Sequence, residues 1–394
     1  MTAPHRTRTL APGIVLLIFV VLLLAVPKTG RPPQPALAPG PVLSSIERSG
    51  NVSLARDCGY SAPLPASRSL WLFCDTAVYV RKKDGTPAWT LQRFIAGSTA
   101  AVGATPPGRA PGQLSEVGAP SGPAAKTNSG GPAPFLARPA GLVTSTGLPC
   151  GYGGSYAASW ASGLTQVPST RDLLVTFNSY CVLGGAGGAK GFLREGFGLA
   201  EYDPATGTLT DDVTVFSGPA APVLGSPVFS GRYLYLYGPT CSAGKAGRCA
   251  GTLSEARVPA TPAQWTDPLS YQWRTSGPSG PWSPDASAAA SFIAGPKPSG
   301  VSVARFPAAG RGFVLVEQTG IDGAFTVYGS AAPAGPWKPV RSGRVPCRLA
   351  AGYANFCRAI IGHPELSTPG ELVLSYFDPG AGAHGHVMVA GFRW

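Results

Sequence analysis

Charge is scarce in this sequence. Charged residues fill 13% of 394 positions, about half the share of an ordinary globular protein, so Ser, Thr, Gly and Pro must cover most of the surface. A surface of that kind suits an extracytoplasmic protein. Runs of Lys or Arg interleaved with aromatics are also missing. The net charge of +12 is partly terminal, since Arg6, Arg8, Lys28 and Arg31 supply four of its cations. Nucleic acid is therefore not an expected partner, and the remaining excess reads as a basic solvated surface near anionic envelope polymers or lipid. No helical periodicity of useful length occurs after residue 50. C-x-x-C, H-E-x-x-H, a Gly-rich phosphate loop and a spaced Ser, His and Asp set are all absent. Zinc, nucleotide and serine-hydrolase chemistry thus have no motif to rest on, and neither a metal nor another cofactor is expected.

Apolar content is nonetheless 44%, with 8 Trp, 13 Tyr and 16 Phe against 95 Gly plus Pro, which describes a folded chain of short strands and many turns. The length admits one large domain or two ordinary ones. The N-terminal MTAPHRTRTLAPGIVLLIFVVLLLAVPKTG has a basic start and an uninterrupted apolar run from Ile14 to Val26, which marks export. No Cys follows that run before Cys58, and the small-x-small site at Ala36 to Ala38 is followed by Pro39, which disfavours cleavage. Counted from Leu10, the apolar stretch of 17 residues is at the short end for a membrane span. An uncleaved anchor, N-terminus inside, is favoured over a cleaved signal peptide. Either way residues 1–26 are the export segment, residues 27–45 a stiff Pro-rich spacer and residues 46–394 the folded domain, membrane-anchored or secreted and monomeric. Eight cysteines fit an oxidising compartment, and their spacing pairs Cys58 with Cys74, Cys150 with Cys181, Cys241 with Cys249 and Cys347 with Cys357. That is one of 105 possible connectivities.

Five short runs share a form: SLWLFC (69–74), DLLVTF (172–177), RYLYLY (232–237), GFVLVE (312–317) and ELVLSY (371–376). Each follows a tight-turn cluster, and before the turn lies a segment rich in Gly, Ser and Pro. Third strands follow several of them, as in FGLAEYDPATGTL and FTVYGSAAPAGPWKPV. Small antiparallel sheets repeated this way, none able to bury its face alone, predict an all-β fold, a five-bladed β-propeller behind the export segment. A large β-sandwich is the alternative, though its strands should recur at shorter and more even intervals. The last strand, GHVMVAGFRW, would leave an open edge unless residues 40–54 pair with it and close the ring.

The stretch RDCGYSAPLPASRSLWLFCDT resembles the opening D-G-G...W-x-F-G-D-T of the five-bladed propeller glycosidase-like proteins, which include arabinanase-type hydrolases and propellers related to endo-D-arabinanases. LSEARVPATPAQWTDPLSYQW, APAGPW and GHPELSTPGELVLSYF agree, so the resemblance covers roughly residues 50–394. It implies the propeller fold and a glycan partner; such propellers include both enzymes and binding modules. In the related pattern both cysteine positions of the first hairpin are glycines.

In an antiparallel hairpin, facing residues have position numbers with a constant sum. For Cys58 with Cys74 and for Asp57 with Asp75 that sum is 132, so one register sets the cysteines opposite each other and the aspartates beside them. Two carboxylates that close push one pKa up, which suits general acid and base work on a glycosidic bond. Asp is equally a strand-end capping residue, and Asp75 before Thr76 suits that role. Further candidates stand before each blade's hairpin: Tyr60 and Ser61, Ser159 and Trp160, Ser226, Ser302, and His363 with Glu365. Trp160 has a flat face for a sugar ring or for a neighbouring blade. Glu365 would be the second carboxylate, facing Asp57 across the seam at a retaining or inverting separation. Glu195 and Glu317 are weaker candidates. The favoured function is a glycoside hydrolase-like propeller acting on a cell-envelope or environmental polysaccharide. The alternative is a silent propeller that binds glycan or protein.

Overall fold

The computed structural model describes residues 39–394 apart from 46–51, 83–87, 119–130, 144–146, 185–190, 240–251, 278–279, 290–292, 295–299, 321, 349–356 and 382–383. The export segment and the Cys241–Cys249 pair thus lie outside the described residues. Among the described residues no helix is long and apolar enough to cross a membrane.

The five apolar runs are the second strands of five antiparallel sheets. Blade 1 holds Val52–Leu64, Arg68–Arg81, Thr99–Ala104 and Ser115–Glu116, and Trp89–Ile95 pairs with the far half of Arg68–Arg81. Blade 2 holds Tyr156–Gln166, Leu173–Leu183, Gly191–Asp203 and Thr208–Ser217. Blade 3 starts with Gly225–Ser230, Tyr233–Pro239 and Thr252–Pro259, and Gln272–Arg274 and Trp282–Ser283 extend it. Blade 4 holds Gly300–Arg305, Phe313–Gln318, Ala324–Ser330 and Lys338–Arg344. Blade 5 holds Arg358–Gly362, Glu371–Asp378 and His386–Arg393. The first strand of each blade packs against the first strand of the next, and that of blade 5 returns to blade 1. The ring is closed, as a propeller requires.

Each second strand is a continuous apolar run because both of its faces are buried, in different cores. Along blade 1, Leu70 and Leu72 pack toward blade 2, whereas Trp71 and Phe73 pack toward blade 5. Blade 3 repeats the alternation, with Leu234 and Leu236 toward blade 2 and Tyr235 and Tyr237 toward blade 4. Leu372 and Leu374 meet blade 4, and Val373 meets blade 1. Five cores therefore fill the five gaps between blades, and a smaller cluster of Ala158, Tyr180 and Val182 lies within blade 2.

Near the axis the gaps are bridged by serine hydroxyls. Ser98 donates to the Ser159 carbonyl of blade 2 at 3.0 Å, Ser162 to Leu224 at 2.8 Å, and Ser226 to Val301 at 3.2 Å. Ser302 accepts from the Gly362 amide at 3.2 Å, and Ser375 donates to the Gly59 carbonyl at 3.2 Å. Each junction of the ring has at least one such link. Close approach at these junctions excludes side chains: a Cβ on Gly163 would lie 2.6 Å from the Ser226 amide nitrogen.

Closure uses residues read as spacer. Pro39–Ser45 adds to the outer edge of blade 5, antiparallel to His386–Arg393, with Pro39 opposite Phe392 and Ser45 opposite Met388. An otherwise open strand edge is thereby covered.

Candidate functional site

The first hairpin carries the site. Its facing positions keep the sum 132 from Val52 with Val80 to Arg56 with Thr76, and again from Tyr60 with Leu72 to Leu64 with Arg68. Between these stretches Cys58 faces Phe73, so two compensating bulges interrupt a register that sequence spacing gave as continuous. Cys58 and Gly59 take left-handed backbone angles there, φ 68° and 105°, at positions where the resembled pattern has glycine or next to it. The Cys58–Cys74 disulfide crosses the bulge with its Cα atoms 5.5 Å apart. Cys150–Cys181 and Cys347–Cys357 form as their spacing predicts. These bonds fit an oxidising compartment.

The bulge turns the two aspartates in different directions. Asp57 looks toward blade 5, where the Arg358 guanidinium meets its Oδ2 at 2.8 and 2.9 Å; the two side chains are 23% and 27% exposed. Asp75 looks toward blade 2. Its Oδ1 accepts from the Gly97 amide at 2.7 Å and from Trp160 Nε1 at 2.8 Å, and its Oδ2 accepts from the Tyr156 hydroxyl at 2.5 Å. Burial, reinforced by the charge of Asp57, pushes the Asp75 carboxyl up to about 6 despite those three donors. Asp57 is thus ion-paired and half-open, while its neighbour keeps a proton into the weakly acidic range.

Aromatic rings wall the pair. Trp160 lies 4.8 Å from Tyr180 and 5.8 Å from Phe192, ring centre to ring centre, and Tyr156 takes the edge of Phe94 at 5.3 Å. Burial, Tyr180 and the charge of Asp57 hold the Tyr60 phenol well above its ordinary range; burial pushes Tyr180 up to about 12. Asp57 and the two cysteines of the first hairpin gather in one spot, but both sulfurs are spent in the disulfide.

Glu365 and His363 form a separate group. Ser61, four positions beyond Asp57, donates to the Glu365 carboxylate and lies 2.5 Å from His363 Nδ1. The Glu365 side chain is 5% exposed, and His363 is fully buried against Trp71 at 4.7 Å. The expected Asp57 and Glu365 couple therefore has its members on different partners, and the carboxylate beside Asp57 is Asp75. Ser226 and Ser302 are buried, and their hydroxyls serve the links between blades. Ser159 donates to the Ala137 carbonyl. Glu317 is buried and accepts from the Tyr328 hydroxyl at 2.8 Å; burial raises it and likewise Glu195. Sequence reasoning passed over Arg358, Tyr156 and Phe192. Tyr156 had a signal, since it lies four residues before Trp160 and so on the same strand face.

At the level of sequence, no family profile and no curated protein matches the chain. Solved structures do. A candidate hydrolase from Bacteroides ovatus aligns at 15% identity over 89% of this chain and 93% of its own, with a TM-score of 0.51. The chain shares its five-bladed propeller fold with that protein. A glycoside hydrolase family 43 enzyme from Xanthomonas citri aligns at 13% identity over 89% and 90%, TM-score 0.43. A family 43 β-xylosidase/α-arabinofuranosidase from a compost metagenome aligns at 10% over 90% and 95%, TM-score 0.44. The likeness is one of fold.

Proposed function

We propose that this propeller is an exported glycoside hydrolase acting on a cell-envelope or environmental polysaccharide, arabinan-type chains among them. The observation that carries the reading is the divided aspartate pair, with Asp57 ion-paired to Arg358 and half-open, and Asp75 holding its proton up to about pH 6. Acid and base catalysis on a glycosidic bond needs two carboxyls whose environments push their protonation apart. In this reading Asp57 is the charged member that meets the sugar and Asp75 the proton-bearing one, while Tyr156 and Trp160 fix the wall. The fold shared with a candidate hydrolase supports it. The chain would work as a monomer, tethered through residues 10–26 or released.

A silent, glycan-binding or protein-binding propeller is the second reading. It is favoured by the engagement of the three leading candidate acids: Asp57 by Arg358, Asp75 by three donors, and Glu365 by Ser61. Incubating the purified chain with arabinan, galactan and xylan separates the two. A hydrolase releases new reducing ends, and Asp57→Asn lowers turnover by orders of magnitude with the fold intact. Retention of a polysaccharide with no product from any of them would establish the silent reading.

A further inference from the structure

The turns between first and second strands share one end of the ring. In blade 1 that end is Leu64 opposite Arg68, the far end of the hairpin from Asp57 and Asp75. Contacts between neighbouring blades carry the same end around the circle. The charge of Arg68 reaches the Tyr202 phenol of blade 2, and Val167 of the blade 2 turn packs with Phe229 of blade 3. Tyr233 of blade 3 packs with Phe313 of blade 4, and Arg311 of blade 4 lies 4.9 Å over the ring of Trp394, which follows the last strand of blade 5. The Gly108 amide, just beyond Thr99–Ala104 of blade 1, donates to the Leu366 carbonyl of blade 5. Four of the five turns set an exposed arginine before the second strand's apolar run: Arg68, Arg171, Arg232 and Arg311. Among the described residues none of the four has a carboxylate partner. Arg305 and Arg393, also exposed, stand at strand ends on the same face. Asp203 and Asp267 spend their oxygens on their own turns, which leaves Asp172, Glu201 and Glu371 against six arginines among the described residues. Leu269, 88% exposed, projects from the short helical segment after Thr252–Pro259, whose Pro259 faces Tyr233 at this end. Pro39 lies opposite Phe392, so the chain enters the fold here too, and only residues 27–38 separate it from the apolar run that closes at Val26.

We propose that this arginine-bearing face docks on an anionic lipid bilayer, with the turn guanidiniums on headgroup phosphates and Leu269 in the acyl boundary, so that Asp57 and Asp75 look away from the membrane. Docking uses the end opposite the candidate site and is independent of whether that site cleaves glycan. A guanidinium presents a planar fork of donors to a phosphate. Four of them on successive blades are spread around a ring, an array that meets a plane of headgroups together, whereas a single acidic polymer strand reaches few. An exposed leucine gains nothing from a soluble polyanion and is stabilised by entering the acyl boundary. Entry of the chain on this face, shortly after an apolar run, puts the basic residues where juxtamembrane cations act on anionic lipid.

The test uses residues 35–394, one compact unit that holds all five cores between blades and the closing strand, so that the apolar run contributes nothing to binding. Phosphatidylcholine vesicles with about 30% phosphatidylglycerol should cosediment this chain and release it in high salt, while vesicles of phosphatidylcholine alone should leave it in solution. Arg171→Gln and Arg232→Gln should each weaken the apparent Kd by about fivefold, and Leu269→Ser by about three- to tenfold. Arg81→Gln removes an exposed cation from the aspartate end and should bind like the parent. Thermal melts of all four variants should match the parent, since every substituted side chain is exposed. Failure to bind the anionic vesicles, or retention by polygalacturonate without vesicle binding, overturns the proposal. Equal weakening by Arg81→Gln and the two turn variants also overturns it, because net charge and not this face would then govern binding.

Discussion

Asp75 shows how one residue can serve two ends. Its carboxylate satisfies a backbone amide, an indole and a phenol, and burial keeps it protonated to a higher pH than an ordinary carboxyl. Asp75→Ala would leave these donors without an acceptor and should destabilise the chain by about 2–4 kcal/mol in denaturant melts. Asp75→Asn keeps an acceptor oxygen and should lose far less. The pH dependence has a defined sign. A carboxyl raised in the folded state contributes stability that is complete below its unfolded value near 4, and that contribution is lost as pH rises through about 6. For hydrolysis the same titration removes the proton donor. Turnover should therefore fall on the alkaline side of about pH 6, and a rate profile flat to pH 8 would remove Asp75 from the chemistry.

At the scale of the element, the unit of this fold is the junction between blades. A second strand flanked by strands on both edges and buried on both faces has no freedom to shift register, because a one-residue slip would exchange its two apolar faces. The first strands lack that protection, since each stands at the end of its sheet with a strand on one edge only, and the serine links help to hold them. Ser226→Ala and Ser375→Ala should each cost about 1 kcal/mol, measured by urea unfolding, by leaving a carbonyl of the neighbouring blade unpaired. The two junctions are far apart and share no partners, so the double variant should show nearly the sum. A double variant no less stable than either single one would mean that water replaces the hydroxyls.

At the scale of the whole molecule, stability depends on joining blade 5 to blade 1. That seam carries the Asp57–Arg358 ion pair, the Ser61, His363 and Glu365 group, the Ser375 link and a stack of Tyr79 on His384 at 3.6 Å. Pro39–Ser45 then covers the outer edge of blade 5. A chain starting at residue 46 should melt about 5 °C or more below one starting at residue 35, and should self-associate through the uncovered edge. Equal melting temperatures and a monodisperse monomer in sizing chromatography would show the closing strand to be dispensable.

Much of this was legible in the chain itself. The five runs located the five second strands because a strand buried on both faces must be apolar throughout, and that pattern survives in one dimension. The pairing of Cys58 with Cys74 was legible because a hairpin turns proximity into a constant sum of positions. The divergence of Asp57 from Asp75 was not. It depends on a bulge whose left-handed angles are set by the disulfide and the packing of two flanking blades, and Cys58 in sequence gives no sign of a positive φ. The partner of Asp57 was equally hidden, since Arg358 lies 301 positions away and arrives only when the ring closes. Local spacing determined the blades and their hairpins. Closure of the ring alone decided which side chains meet at its seam, because contacts between the first and last blades leave no periodic trace in the sequence.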